Sequence, residues 1–240
     1  MRQIVRDYEV VLQLPRSDMQ PRGDSAAPRE LIFHIIEEGR QSVSVLDIGF
    51  GEGHLAQLIK SSPLTHKWSV DGIDGWEPNC ANQNLVDKRL YRHIWHGLAQ
   101  KIPAAQLADY DIICLLDVIE HLNVDSAKWL LRTLLNNLGD NSFLFVSTPL
   151  WFYPQEHVQS GDLEEHLIGV PATSMMSLLP VVYAINHPLV GGFVYRKRSL
   201  DYIDFFQPYP HRSFSYEMGA NILRAINIDP KPGVLFRTGF

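Results

Sequence analysis

The run Val45-Leu-Asp47-Ile-Gly49-Phe50-Gly51-Glu-Gly53 concentrates residue types suited to holding a small charged ligand. Glycines let a backbone approach a ligand closely and enter turns that a Cβ forbids. A helix starting directly after such a loop offers unpaired N–H groups and a partial positive charge. A phosphate fits that arrangement, and so does a carboxylate. A dinucleotide site requires G-x-G-x-x-G. Here the third glycine comes one residue early, and His54 takes its place. Asp47 would also repel a pyrophosphate. It could instead balance the cationic end of a ligand bearing an amino acid, so D-x-G-x-G-x-G favours that class.

A second acid follows at a useful distance. Asp71-Gly-Ile-Asp74-Gly75-Trp76 ends an apolar run, and a carboxylate at a strand tip can accept hydrogen bonds from both hydroxyls of a ribose. Asp74 lies at the tip and Asp71 in mid-strand, so Asp74 is the stronger candidate. Trp76 could stack on a base; alternatively, Asp74 is a turn residue and Trp76 a core aromatic. His93 and His96 flank Trp95 and are expected to pack at a strand end, although one could face the base.

Proton-transfer candidates come later. Asp117, Glu120 and His121 follow a strand, and His121 could act as a general base because imidazole titrates near neutrality. The alternative is that Glu120-His121 closes the loop and caps the next helix. Trp151, Tyr153, Gln155, Glu156, His157, Asp162, Glu164, Glu165 and His166 form a second cluster in an irregular stretch. Its aromatics would shape a pocket, and His157 or His166 could take a proton; either could equally be a solvated loop residue. The spacing matches no zinc or calcium motif, so no metal is expected.

The elements that must position these groups alternate. Strands are predicted at 43–48, 68–73, 92–95, 111–116 and 142–147, with helices at 28–38, 53–61, 78–87 and 125–138. Leu130, Leu131, Leu134, Leu135 and Leu138 form the apolar stripe of the last helix. Strands alternating with helices imply a parallel, doubly wound α/β sheet, with ligands beyond the strands' carboxyl ends. Residues 150–172 read as a lid. Residues 181–184 and 193–195 read as a hairpin turning around Asn186-His-Pro and Gly191-Gly192. Residues 199–240 read as an aromatic, Pro-rich extension with one helix near 216–226.

Composition narrows the function classes. Of 240 residues, 45% are hydrophobic and 20% charged, which supports a packed core rather than a disordered chain. The net charge of −6 gives no global positive field for a phosphate backbone. Arg196-Lys197-Arg198 is either a local anion site or a solvated strand end. Cys80 and Cys114 are too few and too far apart for a disulfide framework. Residues 1–14 lack a secretory pattern and no apolar run reaches 18 residues, so a cytoplasmic protein is expected.

Over residues 28–150 the chain resembles the class I S-adenosylmethionine-dependent methyltransferases. The glycine loop matches that family's first motif, and Asp74 matches its ribose-binding acid. Asp111-Ile-Ile-Cys-Leu-Leu-Asp117-Val118-Ile-Glu120-His121-Leu122 resembles the fourth-strand motif of the ubiquinone-biosynthesis-like branch, and Phe143-Leu-Phe-Val-Ser-Thr148-Pro149 its fifth strand. The pattern of Thr-Pro, aromatic, Gln and a later Glu-His is also similar to bacterial methyltransferases of sugar-modification pathways.

The resemblance implies a Rossmann-like, mostly parallel seven-stranded sheet with a terminal antiparallel hairpin. The corresponding domain is 1–198, with residues 199–240 packed on it. It implies S-adenosylmethionine as cofactor, leaving as S-adenosylhomocysteine. Asp47, Gly49, Phe50, Gly51, Gly53, Asp74, Gly75, Trp76, Leu98, Asp117 and Val118 would contact it, and His121, His166 or His157 would serve catalysis. The family's usual acid at the adenine edge is replaced here by Leu98. The expected partner is a small-molecule acceptor methylated on a hydroxyl oxygen, with neither nucleic acid nor membrane, and a homodimer is the oligomer to test for. The alternatives are a nucleic-acid or protein methyltransferase, an NAD-binding oxidoreductase, and a non-catalytic methyltransferase-like binding protein.

Overall fold

The computed structural model describes residues 8–14, 40, 42–187, 190–208, 216–225 and 233–238. Its centre is β5 (Ile112–Leu116), buried throughout. Ile112, Cys114 and Leu116 belong to one core cluster, while Ile113 and Leu115 belong to a second. This two-residue alternation, apolar on both faces, is what a strand covered on both sides requires. In one cluster β5 meets Leu55, Ala56 and Ile59 of α1 (His54–Ser61). In the other it meets Leu130, Leu131, Leu134 and Leu135 of α5 (Val124–Asn137).

Around β5 the parallel strands are β2 (Ser44–Ile48), β3 (Ser69–Asp74), β4 (His93–His96) and β6 (Phe143–Pro149). They pair β4-β3-β2-β5-β6, so the order reverses between β2 and β5, the switch point at which such sheets hold ligands. β8 (Val190–Tyr195) runs antiparallel to β6, and β7 (Val182–His187) antiparallel to β8. These are the seven predicted strands of a Rossmann-like, doubly wound sheet.

Several boundaries differ from expectation. Among the described residues the sheet has nine strands, because β9 (Gly233–Thr238) pairs with β7 and β1 (Tyr8–Leu14) with β9, both antiparallel. Neither was predicted: β1 is the edge strand, and β9 lies between it and β7, each paired with segments far away in the sequence. The hairpin strands are longer than expected: Asn186 and His187 continue β7, and Gly191 and Gly192 lie within β8. The predicted helix at 78–87 is two short ones, α2 (Glu77–Cys80) and α3 (Gln83–Asp87). Asn82 caps α3 by accepting the Asn84 N–H at 3.0 Å, which ends one helix and starts another. The helix expected at 28–38 lies outside the described residues. The C-terminal helix is found as α7 (Tyr216–Ala225).

Short helices complete the frame: α4 (Ala104–Leu107) and α6 (Ala172–Ser177), with a 3-10 segment at Lys197–Phe205. Two basic residues of Arg196-Lys197-Arg198 are engaged, Arg196 over the Phe143 ring and Lys197 with Asp140 at 3.1 Å, so a shared anion site there has no support. Among the described residues no helix is long and apolar enough to cross a membrane.

α5 starts where Asn123 accepts the Ser126 N–H at 2.9 Å, and its leucines face the sheet while Trp129 is exposed. Leu134→Ala should therefore lower unfolding stability by about 2–5 kcal/mol. Trp129→Ala should change it by less than about 1 kcal/mol. Urea denaturation of both variants checks which face is buried.

Candidate functional site

The loop between β2 and α1 turns through left-handed backbone at Gly49 (φ +72°) and Gly51 (φ +52°), and Gly53 carries a third such turn into α1. Two of these glycines do different work. A Cβ on Gly49 would stand 2.5 Å from Val118 Cγ2, so the loop packs directly on the segment after β5. A Cβ on Gly51 would meet nothing within 4 Å, so this stretch of backbone faces open space.

Asp74 ends β3 and anchors the loop from the strand beside β2. Its Oδ2 accepts the Gly51 N–H at 2.9 Å and the Asn79 side-chain N–H at 3.2 Å. Its Oδ1 accepts the Trp76 N–H at 2.8 Å. Asp71, by contrast, is buried in an ion cluster with Arg92, His93 and Tyr110. Burial pushes its pKa up, but Arg92, Tyr110 and His93 outweigh that and hold the carboxyl below its usual range. Asp71 is thus committed to partners within the fold, whereas Asp74 stands beside the glycine loop.

Asp47 lies under the loop, buried, and its Oδ2 accepts the Tyr91 hydroxyl at 2.8 Å. Burial raises its pKa to about 7 against the lowering effect of Tyr91, with the charge of Asp74 adding to the rise. Tyr91 has to cross the sheet surface to get there. A Cβ on Gly72 would come 3.0 Å from its ring, so a glycine makes room for it. Phe50, expected beside the ligand, instead turns its ring into the core, 5.1 Å from the Tyr91 ring. Tyr91 and Asn79 were not predicted: no motif marks a tyrosine before a strand, and Asn79 could have been found only from its closeness in sequence to Asp74.

The edge beyond Asp74 is apolar. A Cβ on Gly75 would meet Leu163 Cδ1 at 2.6 Å and Leu98 Cδ2 at 3.1 Å, which brings a lid residue against the strand end. His96 Nε2 lies 3.1 Å from the Gly75 carbonyl, and Trp76 is half-buried before α2. His93 is spent on Asp71.

After β5, Asp117 adopts φ +52°, a conformation rare for a residue with a Cβ and costly unless the surroundings fix it. Ser147 of β6 supplies the constraint, accepting the Asp117 N–H at 3.0 Å and donating its hydroxyl to Oδ1 at 2.9 Å. Ile119–His121 then form a 3-10 turn, and Asn123 rather than Glu120 or His121 caps α5. The Glu120 carbonyl accepts the Leu167 and Ile168 N–H groups at 2.8 and 3.2 Å, which ties the lid to this turn.

That tie brings His121 and His166 together, with ring centroids 4.6 Å apart. Burial lowers both pKa values, that of His166 to about 4, so burial favours the neutral form of both rings. Glu120 is fully buried beside them, and burial together with the charge of Asp117 raises its pKa well above the usual carboxylate range. His157 lies apart from this pair. It is exposed and paired with Asp162 at 2.8 Å and Glu165 at 3.5 Å. Asp162 also accepts backbone N–H groups from Val158, Gln159 and Glu164, which shapes the lid. Burial opposes it, but those N–H groups and His157 hold the Asp162 carboxyl down to about 2.

Residues 19–180, well over half of the chain, match the family described as "Methyltransferase domain". No curated protein matches the chain. Solved structures to which the chain is similar include PH0226 from Pyrococcus horikoshii OT3, with 16% identity, 50% of this chain and 55% of that chain covered, and a TM-score of 0.42. The chain thus spans little more than half the length of that protein. The N-terminal domain of EvdMO1 with SAH bound shares 15% identity over 72% of this chain and 82% of that one, at a TM-score of 0.51. The same domain in the presence of SAH and D-fucose shares 14% identity over 77% and 89%, also at 0.51. With its glycine loop at the switch point of a Rossmann-like sheet and this match across its centre, the chain belongs to the methyltransferase domain family.

Proposed function

We propose that the chain transfers a methyl group from S-adenosylmethionine to a hydroxyl oxygen of a small molecule and releases S-adenosylhomocysteine. The observation that carries this reading is the Asp74 carboxylate, held at the rim of an open glycine loop by the Gly51, Trp76 and Asn79 N–H groups. A carboxylate so fixed can accept the two ribose hydroxyls of the donor. Leu98, Gly75 and Leu163 would cover the adenine, and Asp47, Asp117 and Val118 would line the methionine end. The EvdMO1 domain was crystallised with SAH, which supports this cofactor for the shared fold.

In the reaction the acceptor oxygen forms a bond to the methyl carbon while the carbon–sulfur bond breaks and its electron pair returns to sulfur. The acceptor proton must leave, and a neutral His121 or His166 beyond the end of β5 can receive it. The protein otherwise supplies alignment, because the sulfonium is already activated. The net charge of −6 and the lack of a basic stripe in the sequence favour a small acceptor over nucleic acid. An NAD site is disfavoured by the glycine spacing.

Calorimetric titration should give micromolar binding of S-adenosylmethionine and S-adenosylhomocysteine and none of NADH; the reverse pattern would overturn the reading. Asp74→Ala should weaken S-adenosylhomocysteine binding at least tenfold, about 1.4 kcal/mol. Unchanged affinity would remove Asp74 from the ribose site.

Asp47, with its pKa raised to about 7, holds a proton part of the time near neutrality. A cationic ammonium arriving nearby favours the ionised form, so ligand binding should release protons. Binding enthalpies of S-adenosylhomocysteine at pH 6.5 should therefore differ between phosphate and a buffer of high ionisation enthalpy. Asp47→Asn should abolish that difference.

A further inference from the structure

Three ligating side chains from two distant segments meet at the turn after β5. One ligand atom each from Glu120, His121 and His166 can be chosen so that all three lie within 4.8 Å of one another. Glu120 and His166 are buried and His121 partly so. The lid backbone does the assembling, because Leu167 and Ile168 hydrogen-bond to the Glu120 carbonyl on either side of the contact.

The hydrogen bonds around the cluster fix the tautomers of its two rings. His121 Nδ1 lies 3.1 Å from the Glu165 carbonyl, and His166 Nδ1 lies 2.7 Å from the Tyr153 carbonyl. A carbonyl only accepts, so each Nδ1 must carry the proton, and in each neutral ring the lone pair that can bind a cation is then on Nε2. The Glu120 carboxylate is committed on one side only: Thr148 donates to Oε2 at 3.1 Å, while Oε1 is buried without a hydrogen-bond partner. Buried polar atoms are rarely left so, and an orphaned one calls for an occupant.

We propose that Glu120, His121 and His166 form a binding site for one divalent transition-metal ion. Two imidazole nitrogens and a carboxylate oxygen are donors that suit Zn²⁺, Fe²⁺, Co²⁺ or Mn²⁺. Three protein ligands leave coordination positions open to water or substrate. The Glu165 and Tyr153 carbonyls and the Thr148 hydroxyl are the outer partners that fix ligand tautomer and orientation in metal sites. Because Glu120 and His121 come from the β5 turn and His166 from the lid, the ion would also staple the lid to the sheet.

The ion's role in catalysis rests on the methyl-transfer reading; its binding does not. An acceptor hydroxyl coordinated at an open position loses its proton more readily and is held for attack on the methyl carbon. The two imidazoles would then act as ligands, and the proton would pass to solvent.

The test uses Co²⁺ as probe on the full chain stripped with chelator, read by its visible absorption and by equilibrium dialysis. One Co²⁺ should bind per chain. Glu120→Gln, His121→Gln and His166→Gln should each weaken binding at least tenfold, while His66→Gln, at an exposed position outside the cluster, should not. Should the buried Glu120 variant fail to fold, the two histidine variants decide the matter, with circular dichroism to show that they are folded. No Co²⁺ bound by the native chain, or equal binding by both folded histidine variants, overturns the site. Titration of the same samples with S-adenosylhomocysteine separates the two readings. A chain that binds S-adenosylhomocysteine and no Co²⁺ refutes the metal and keeps the donor site, and the opposite result does the reverse.

Discussion

The hydrogen bond from the Gly51 N–H to the Asp74 carboxylate spans the gap between β2 and β3, and the open face of the molecule is organised around it. It fixes a glycine loop that has no side chains of its own to hold its shape. The same carboxylate orders the start of α2 through Trp76 and Asn79. One buried acid thereby sets the loop, the strand end and the helix that follows. Charge-assisted bonds of this kind are stronger than neutral ones, which suits a site that must be formed before its ligand arrives.

Below this rim the sheet supplies rigidity. β5 is apolar on both faces and wedged between the α1 and α5 layers, so the residues that leave its carboxyl end start from a fixed point. The left-handed conformation of Asp117 is tolerable only because Ser147 on β6 holds both its N–H and its carboxylate. Val118 then reaches back to close on Gly49. Strain at one residue is thus offset by hydrogen bonds and packing from two neighbours, and the chain is redirected toward the lid.

The lid is less regular but not unspecified. Asp162 gathers three backbone N–H groups and His157, and the Glu120 carbonyl gathers two more at the other end. Between these anchors His166 is placed against His121, and Leu163 against Gly75. The lid therefore touches both the expected base-binding edge and the Glu120–His121–His166 cluster.

The sequence by itself determined the sheet's parallel core, the glycine loop and the position of Asp74, rather than Asp71, at a strand tip. Each of these follows from local chemistry: two-residue apolar alternation, glycines where a Cβ is forbidden, an acid at a strand tip. Only the tertiary structure decided what depends on distant partners. β1 and β9 became strands because each offered the other, or β7, an edge to pair with. Tyr91 became the partner of Asp47, and Phe50 turned inward, because the sheet brings β2 and β4 to either side of Gly72. His121 and His166 each look ordinary in the sequence, whereas His157 looked as promising as either. What separated them was the lid's backbone bonding to the Glu120 carbonyl, a contact across the fold that no spacing along the chain encodes.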